Sequence, residues 1–153
     1  MRENRDFEVL NEHWDEYKLK DGSLLRAKFV LINVIMAGVD DAKNPRYMMN
    51  SQPLFGVVAP ASLKGVPSEE VFTPEQRVDA LQEEVEFEVL KKESSEYKLS
   101  DGALLKIDLM IVKVGRTSLH DSIGEPLYLI SSQPLVNLSV PKELREKLKQ
   151  LSE

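Results

Sequence analysis

Apolar and polar residues alternate along two long stretches of the chain. Leu25, Ala27, Phe29 and Leu31 share one face of the first stretch, and Leu105, Ile107, Leu109 and Ile111 share one face of the second. Period-two alternation over that length predicts a β-strand with one side turned to a core. The opposite face begins polar, with Arg26 and Lys28 or with Lys106 and Asp108. It then turns apolar, with Val30, Ile32 and Val34 or with Met110, Val112 and Val114. A strand half-exposed at its start and covered on both sides later suits a bent strand in a small barrel. The second apolar face also suits an interface, with the other half of the chain or with another molecule.

Shorter strands are expected ahead of each stretch, at 7–10 and 16–19 and again at 87–90 and 96–99. Asp21-Gly22 and Asp101-Gly102 come next. Asp-Gly between apolar runs is a hairpin signal, because a type I′ turn needs positive φ at both central residues. After loops near 40–44 and 118–124, a fourth strand starts near Tyr47 or Leu127. Ser51-Gln52-Pro53 and Ser132-Gln133-Pro134 are expected to break it, since proline cannot donate to a ladder and restricts the residue before it. A fifth strand alternates through Phe55, Val57 and Ala59, or through Val136, Leu138 and Val140.

Pro141 suits the first turn of a helix, and Leu144, Leu148 and Leu151 form an apolar stripe over about 142–151. The first half carries only a stub at 61–64, stopped by Gly65 and Pro67. Between the halves, Thr73-Pro74-Glu75-Gln76 has capping-box spacing and predicts a helix with Val78, Leu81 and Val85 on one face.

The pattern repeats in sequence as well as in periodicity. Phe7-Glu8-Val9-Leu10 returns 80 residues later as Phe87-Glu88-Val89-Leu90, Glu16-Tyr17-Lys18-Leu19 as Glu96-Tyr97-Lys98-Leu99, and Asp21-Gly22 as Asp101-Gly102. After a shift of one residue, Pro45, Tyr47 and Ser51-Gln52-Pro53-Leu54 match Pro126, Tyr128 and Ser132-Gln133-Pro134-Leu135. An ordered series of this kind reads as an internal duplication, with copies at about 7–64 and 87–150. The chain accordingly divides into a first β repeat (1–64), an acidic helical connector (65–86) and a second β repeat with a C-terminal helix (87–153). Each copy is near the lower size limit for an independent core. The expected fold is therefore mainly β: two small five-stranded barrels of SH3-like or Sm-like form, packed with pseudo-two-fold symmetry. Two barrels or one strand-exchanged body satisfy the pattern equally.

Charge sharpens this division. The chain has 153 residues and a formal charge of −6. Acidic and basic side chains balance within 1–64 and within 87–153, so the excess lies in 65–86, where Arg77 faces seven carboxylates. The repeats are neutral bodies on an acidic tether. With no cysteine, disulfides and thiolate chemistry are excluded. The charged N-terminus lacks a signal-like apolar run, and 24–39 is interrupted by Arg26, Lys28 and Asn33, so a cytoplasmic protein with no membrane partner is expected.

Candidate chemistry is sparse. Ser51, Gln52, Pro53 and Ser132, Gln133, Pro134 place side-chain donors and acceptors where a ligand or peptide could dock; the plainer reading is a barrel corner. Val30, Ile32, Val34, Met110, Val112 and Val114 are the interface candidates, and inter-repeat core is their plainer reading. Met48 and Met49 extend that surface, and Trp14, opposite Ser94 in the second copy, could mark a contact. His120-Asp121 could pair a base with its orienting carboxylate, but adjacent loop residues seldom face each other, and no nucleophile motif accompanies them. Asp40, Asp41 and Asp121 lack metal-ligand spacing, and no phosphate-binding glycine motif is present, so no metal or cofactor is expected. Lys18, Lys20, Arg26, Lys28, Lys98 and Lys106 lie near Tyr17 and Tyr97, as a nucleic-acid surface requires, yet acidic residues interleave with them.

The sequence therefore favours a non-catalytic binding or assembly module whose partner is a protein, itself or another. An RNA- or single-strand-binding module is the alternative. An enzyme with a site between the repeats, lined by Gln52, Gln133 and loop carboxylates, is the third reading.

Overall fold

The computed structural model describes residues 3–151; Met1, Arg2, Ser152 and Glu153 lie outside the described residues, as does the side chain of Leu151. The elements follow in order as β1 (Glu3–Arg5), β2 (Phe7–Asn11), β3 (Asp15–Leu19), β4 (Leu24–Val39) and β5 (Pro45–Val58). A single 3-10 turn (Ala61–Leu63) and α1 (Pro74–Asp79) lead to β6 (Leu81–Glu84), β7 (Phe87–Lys91), β8 (Ser95–Leu99), β9 (Leu104–His120), β10 (Pro126–Ser139) and α2 (Lys142–Leu151). The chain is mainly β, in two antiparallel five-stranded sheets.

In the first sheet β4 is the spine. It pairs with β5 along its length, from Leu24↔Val58 to Val39↔Pro45. Its other edge pairs with β3 near its start and with β1 at Val34 to Met36. The second sheet repeats the plan on β9, with β10 along one edge and β8 and β6 sharing the other.

The first strand of each half lies in the other half's sheet. β2 pairs with β8, through Phe7↔Leu99 and Val9↔Tyr97, and β7 pairs with β3, through Phe87↔Leu19 and Val89↔Tyr17. Two corners make this crossing possible. The chain leaves β1 in the first sheet and enters β2 in the second across Asp6, whose carbonyl accepts from Ser100 N at 2.8 Å. It leaves β6 and enters β7 across Val85 and Glu86; Val85 N donates to Val114 O, and Glu86 O accepts from Lys20 N, both at 2.8 Å. Strands that switch sheets at corners are one way two sheets enclose a common interior. No closed barrel forms: among the described residues β5 and β10 pair along one edge only, so the expected barrels are replaced by two open sheets.

One core serves both sheets. Tyr17, Leu19, Leu25, Phe29 and Leu31 meet Tyr97, Leu99, Leu105, Ile107 and Leu109 in a single buried cluster. Phe29 of the first sheet lies edge-on to Tyr97 of the second with centroids 6.3 Å apart. The exchanged strands anchor in the same way, Phe7 on Tyr97 and Phe87 on Tyr17, at 5.7 and 5.8 Å. Each fully buried large side chain of this set contributes about 1.5–3 kcal/mol of transfer free energy.

Local geometry corrects several expectations. The Asp-Gly turns are not type I′, because only Gly22 and Gly102 take positive φ, +94° each. Gly22 N donates to Leu19 O while Leu19 N donates to Ser23 O, and Leu99, Gly102 and Ala103 repeat the pattern. This is the three-residue loop with glycine in the bulge position. Asp21 and Asp101 accept from the backbone N–H two residues on, at 2.9 and 3.0 Å, which fixes the turn.

Ser-Gln-Pro does not break a strand. It lies in the middle of β5 and of β10, with Pro53 opposite Phe29 and Pro134 opposite Leu109. The irregularity falls on the partner strand instead. Pairing jumps from Leu31↔Ser51 to Asn33↔Asn50, and from Ile111↔Ser132 to Lys113↔Ser131, so Ile32 and Val112 are extra residues in β-bulges.

In the connector the capping box forms as its spacing predicts. The helix stops at Asp79, however, because the next segment is captured as β6 by the free edge of β9. Val78 is exposed and Val85 joins the core. The C-terminal helix spans the expected residues, with Leu148 buried and Leu144 against the core.

Candidate functional site

Backbone hydrogen bonding fixes which way each strand presents its groups. Leu99 N donates to Ala103 O, so Leu99 and Ala103 are a hydrogen-bonded pair across the turn. Counting outward from that pair, Leu105 and Ile107 bond towards β8, and Leu104, Lys106 and Asp108 bond towards β10. Pro134, opposite Leu109, thus occupies a position whose N–H would point away from the sheet. The same count from Leu19 and Ser23 puts Pro53 in the equivalent position on β5. A proline there costs the ladder nothing, because β5 and β10 are edge strands. The prolines interrupt the exposed edges rather than the strands.

The two groups of candidates suggested by the sequence meet on the outer faces. Gln52 is paired with Val30 and Gln133 with Met110, and both glutamines are exposed. Ser51 and Pro53 oppose core residues Leu31 and Phe29; Ser132 and Pro134 oppose Ile111 and Leu109. The interface set divides. Each bulge reverses the alternation, so Val34 and Val114 turn inward and are 1% and 0% exposed. Val30 is half-buried, while Ile32, Met110 and Val112 are exposed. Gln52 and Gln133 lie on different sheets and face outward, so they do not line a common cleft with the loop carboxylates.

The outer face of the second sheet is the more open one. Met110, Val112 and Leu135 are 40%, 60% and 47% exposed near Gln133, and Leu104, opposite Ser139 beyond Lys106 and Asp108, is also exposed. A cavity of about 270 Å³ adjoins it, walled by Leu10, Tyr97, Leu104, Leu105 and Leu138 and rimmed by Glu96, Lys106, Asn137 and Ser139. On the first sheet the corresponding face is partly covered. The Trp14 ring lies 5.2 Å from the Arg26 guanidinium and 5.8 Å from the Lys28 ammonium. In the second half Ser94 takes that place and bonds to Asp108. The basic groups near Trp14 each meet a carboxylate, Arg26 with Glu16 at 4.0 Å and Lys28 with Glu12 at 3.6 Å. This leaves little free positive charge for phosphate.

The titratable groups hold the halves together. His13 and Asp15 meet the backbone and side chain of Glu93 where the β2–β3 and β7–β8 connections lie against each other. His13 Nδ1 is 3.3 Å from Glu93 Oε2, His13 Nε2 is 3.5 Å from Asp15 Oδ1, and Asp15 Oδ1 accepts from Glu93 N at 3.0 Å. Burial pushes the Asp15 carboxyl above its ordinary range. Among the described residues no set of three metal-ligating side chains forms. His120 packs on Gly65, where a Cβ would approach its ring within 2.5 Å. Asp121 does not orient that histidine: its Oδ1 accepts from Ile123 N and Glu125 N and closes its own loop. Asp40 does the same with Asn44 N.

Sequence reasoning missed two polar clasps between the halves. Tyr128 and Arg116 bond to Asp21 at 2.7 and 3.1 Å, and Tyr47 donates to Asp101 at 2.5 Å with Arg5 at 3.5 Å. The matched Tyr47 and Tyr128, and the matched Asp-Gly turns, carried the only signal for them.

No family model matches the chain, and no curated protein or solved structure matches it either. No helix among the described residues is long and apolar enough to cross a membrane.

Proposed function

We propose that the chain is two copies of one β unit, related by a pseudo-two-fold axis with their first strands exchanged, and that it works as a non-catalytic binding or assembly module. The registers support the duplication: Val34↔Met49 in the first sheet has its counterpart in Val114↔Ile130, 80 residues on in the spine and 81 in the edge strand. The extra residue of the second half is absorbed where pairing jumps from Arg116↔Tyr128 to His120↔Pro126.

The binding reading rests on one observation, the exposed apolar side chains of Met110, Val112 and Leu135 at one end of the outer face of the second sheet. Large contiguous apolar patches on soluble proteins mark contact sites. A partner that is a protein fits this surface better than nucleic acid does, because its apolar side chains adjoin the Asp108 carboxylate opposite Leu135.

Light scattering across a concentration series, with titration of an apolar fluorescent dye, tests the proposal. Wild type is expected to bind dye and to associate. Val112→Glu with Leu135→Glu should abolish both while leaving the circular dichroism spectrum intact. A wild type that stays monomeric and binds no dye would sink the reading.

A further inference from the structure

Edge strands are templates for further pairing, and folded proteins usually guard them with charge, proline or a covering loop. The two long edges here are guarded unequally. Charge guards neither, since β10 has no charged residue from Pro126 to Ser139 and β5 has only Arg46; exposure and anchoring set them apart. The hydrogen-bond parity leaves the N–H and C=O of Val136 and Leu138 pointing out of the sheet. Their side chains are 42% and 38% exposed, whereas the matching Phe55 and Val57 of β5 are half-buried. The β5 end is also held from within the chain: Ala59 N donates to the buried Glu125 carboxylate at 3.0 Å, and Gly65 N donates to Gly124 O. In the second half the residue matching Ala59 is Val140, and the residue matching Glu125 is Asn44, so this anchor has no equivalent.

Pro134 and Pro141 fence the open window, which reads Leu135-Val136-Asn137-Leu138-Ser139-Val140. We infer that the β10 edge is a self-association site, at which a second copy of this chain adds its own β10 antiparallel about a two-fold axis at Asn137. The inference rests on the assembly reading above and names its partner.

Two features select a second copy. The window is charge-free, so two copies meet there with no like charges opposed. An antiparallel pair is isologous and closes as a dimer. Centring it on Asn137 places Val136 opposite the second copy's Leu138 and satisfies both pairs of outward backbone groups. A register displaced towards Pro134 loses a donor. The two Asn137 residues then form a non-hydrogen-bonded pair, with Cα atoms about 4.5 Å apart, which is within disulfide reach.

The absence of native cysteine makes the test direct. Asn137→Cys, oxidised under mild conditions, should yield a covalent dimer in high yield, whereas Leu135→Cys and Ser139→Cys should stay uncrosslinked. Val136→Lys should shift the light-scattering mass to that of one chain. Association in solution without linkage at position 137, or equal linkage at 135 or 139, overturns the edge pairing and leaves the assembly reading standing. A protein that is monomeric at every concentration overturns both.

Discussion

Tyr97 and Tyr17 stand 80 residues apart in matching positions, yet their hydroxyls meet different surroundings. Tyr97 OH donates to Glu12 Oε2 at 2.7 Å. Tyr17 OH is buried with no hydrogen-bond partner among the described residues, because the residue 80 positions on from Glu12 is Lys92. Replacing each by phenylalanine keeps the ring packing and removes only the oxygen. Losing a buried bond to a carboxylate costs about 1.5–3 kcal/mol, whereas an orphaned buried hydroxyl is itself a cost of about 1–3 kcal/mol. Tyr97→Phe should therefore destabilise by about 2 kcal/mol, and Tyr17→Phe should be neutral or stabilise by about 1 kcal/mol. For a chain of this size that means a Tm lowered by roughly 4–8 °C in the first case and unchanged or raised in the second. Urea unfolding followed by circular dichroism and by Trp14 fluorescence measures both. Equal losses at the two positions, or a larger loss for Tyr17→Phe, would refute the reasoning.

Three further outcomes follow from the same geometry. Burial raises all four tyrosine hydroxyls, Tyr17 and Tyr128 to about 12 and Tyr47 and Tyr97 further still. A folded-state value above the unfolded one, near 10, gives stability that is complete below pH 10 and is lost as pH rises towards 12; phenolate absorbance should appear together with unfolding rather than before it. Gly124→Ala should destabilise by more than about 1 kcal/mol, since φ is +86° and the new Cβ would lie 2.6 Å from Gly65 O. Gly56→Ala, with open space around it, should be neutral or stabilising in the same thermal melt. Glu125→Ala strands the Ala59 N–H and releases Lys64 from its 3.3 Å ion pair, so a loss of about 1–3 kcal/mol is expected in urea.

Much of the secondary structure was legible in the sequence, because alternation on Leu25 to Leu31 and on Leu105 to Ile111 has a single structural solution. The capping box at Thr73 and the α2 boundaries were legible for the same reason: local chemistry decides them. The exchange of β2 and β7 was not. Phe7 finds a tyrosine and a leucine two residues apart whether it pairs with Tyr17 and Leu19 or with Tyr97 and Leu99, so the matching residues make the two pairings locally equivalent. Only the geometry at Asp6 and Glu86 chooses between them. The Ser-Gln-Pro segments misled because a proline breaks a central strand and is harmless on an edge, and edge position is a property of the whole sheet. The bulges at Ile32 and Val112 hid inside an apolar run, where one extra residue leaves no trace in composition but moves Val34 and Val114 from the outer face to the core. Leu81 fitted a helical stripe with Val78 and Val85, and the unpaired edge of β9 overrode it.

The pairing of β2 with β8 and of β7 with β3 ties the two sheets to one core. Proton–proton nuclear Overhauser contacts across the non-hydrogen-bonded pairs report it without any substitution. The account predicts contacts from Phe7 to Leu99 and from Val9 to Tyr97, with Phe87 to Leu19 as the mirror case. Contacts from Phe7 to Leu19 and from Val9 to Tyr17 in their place would contradict it.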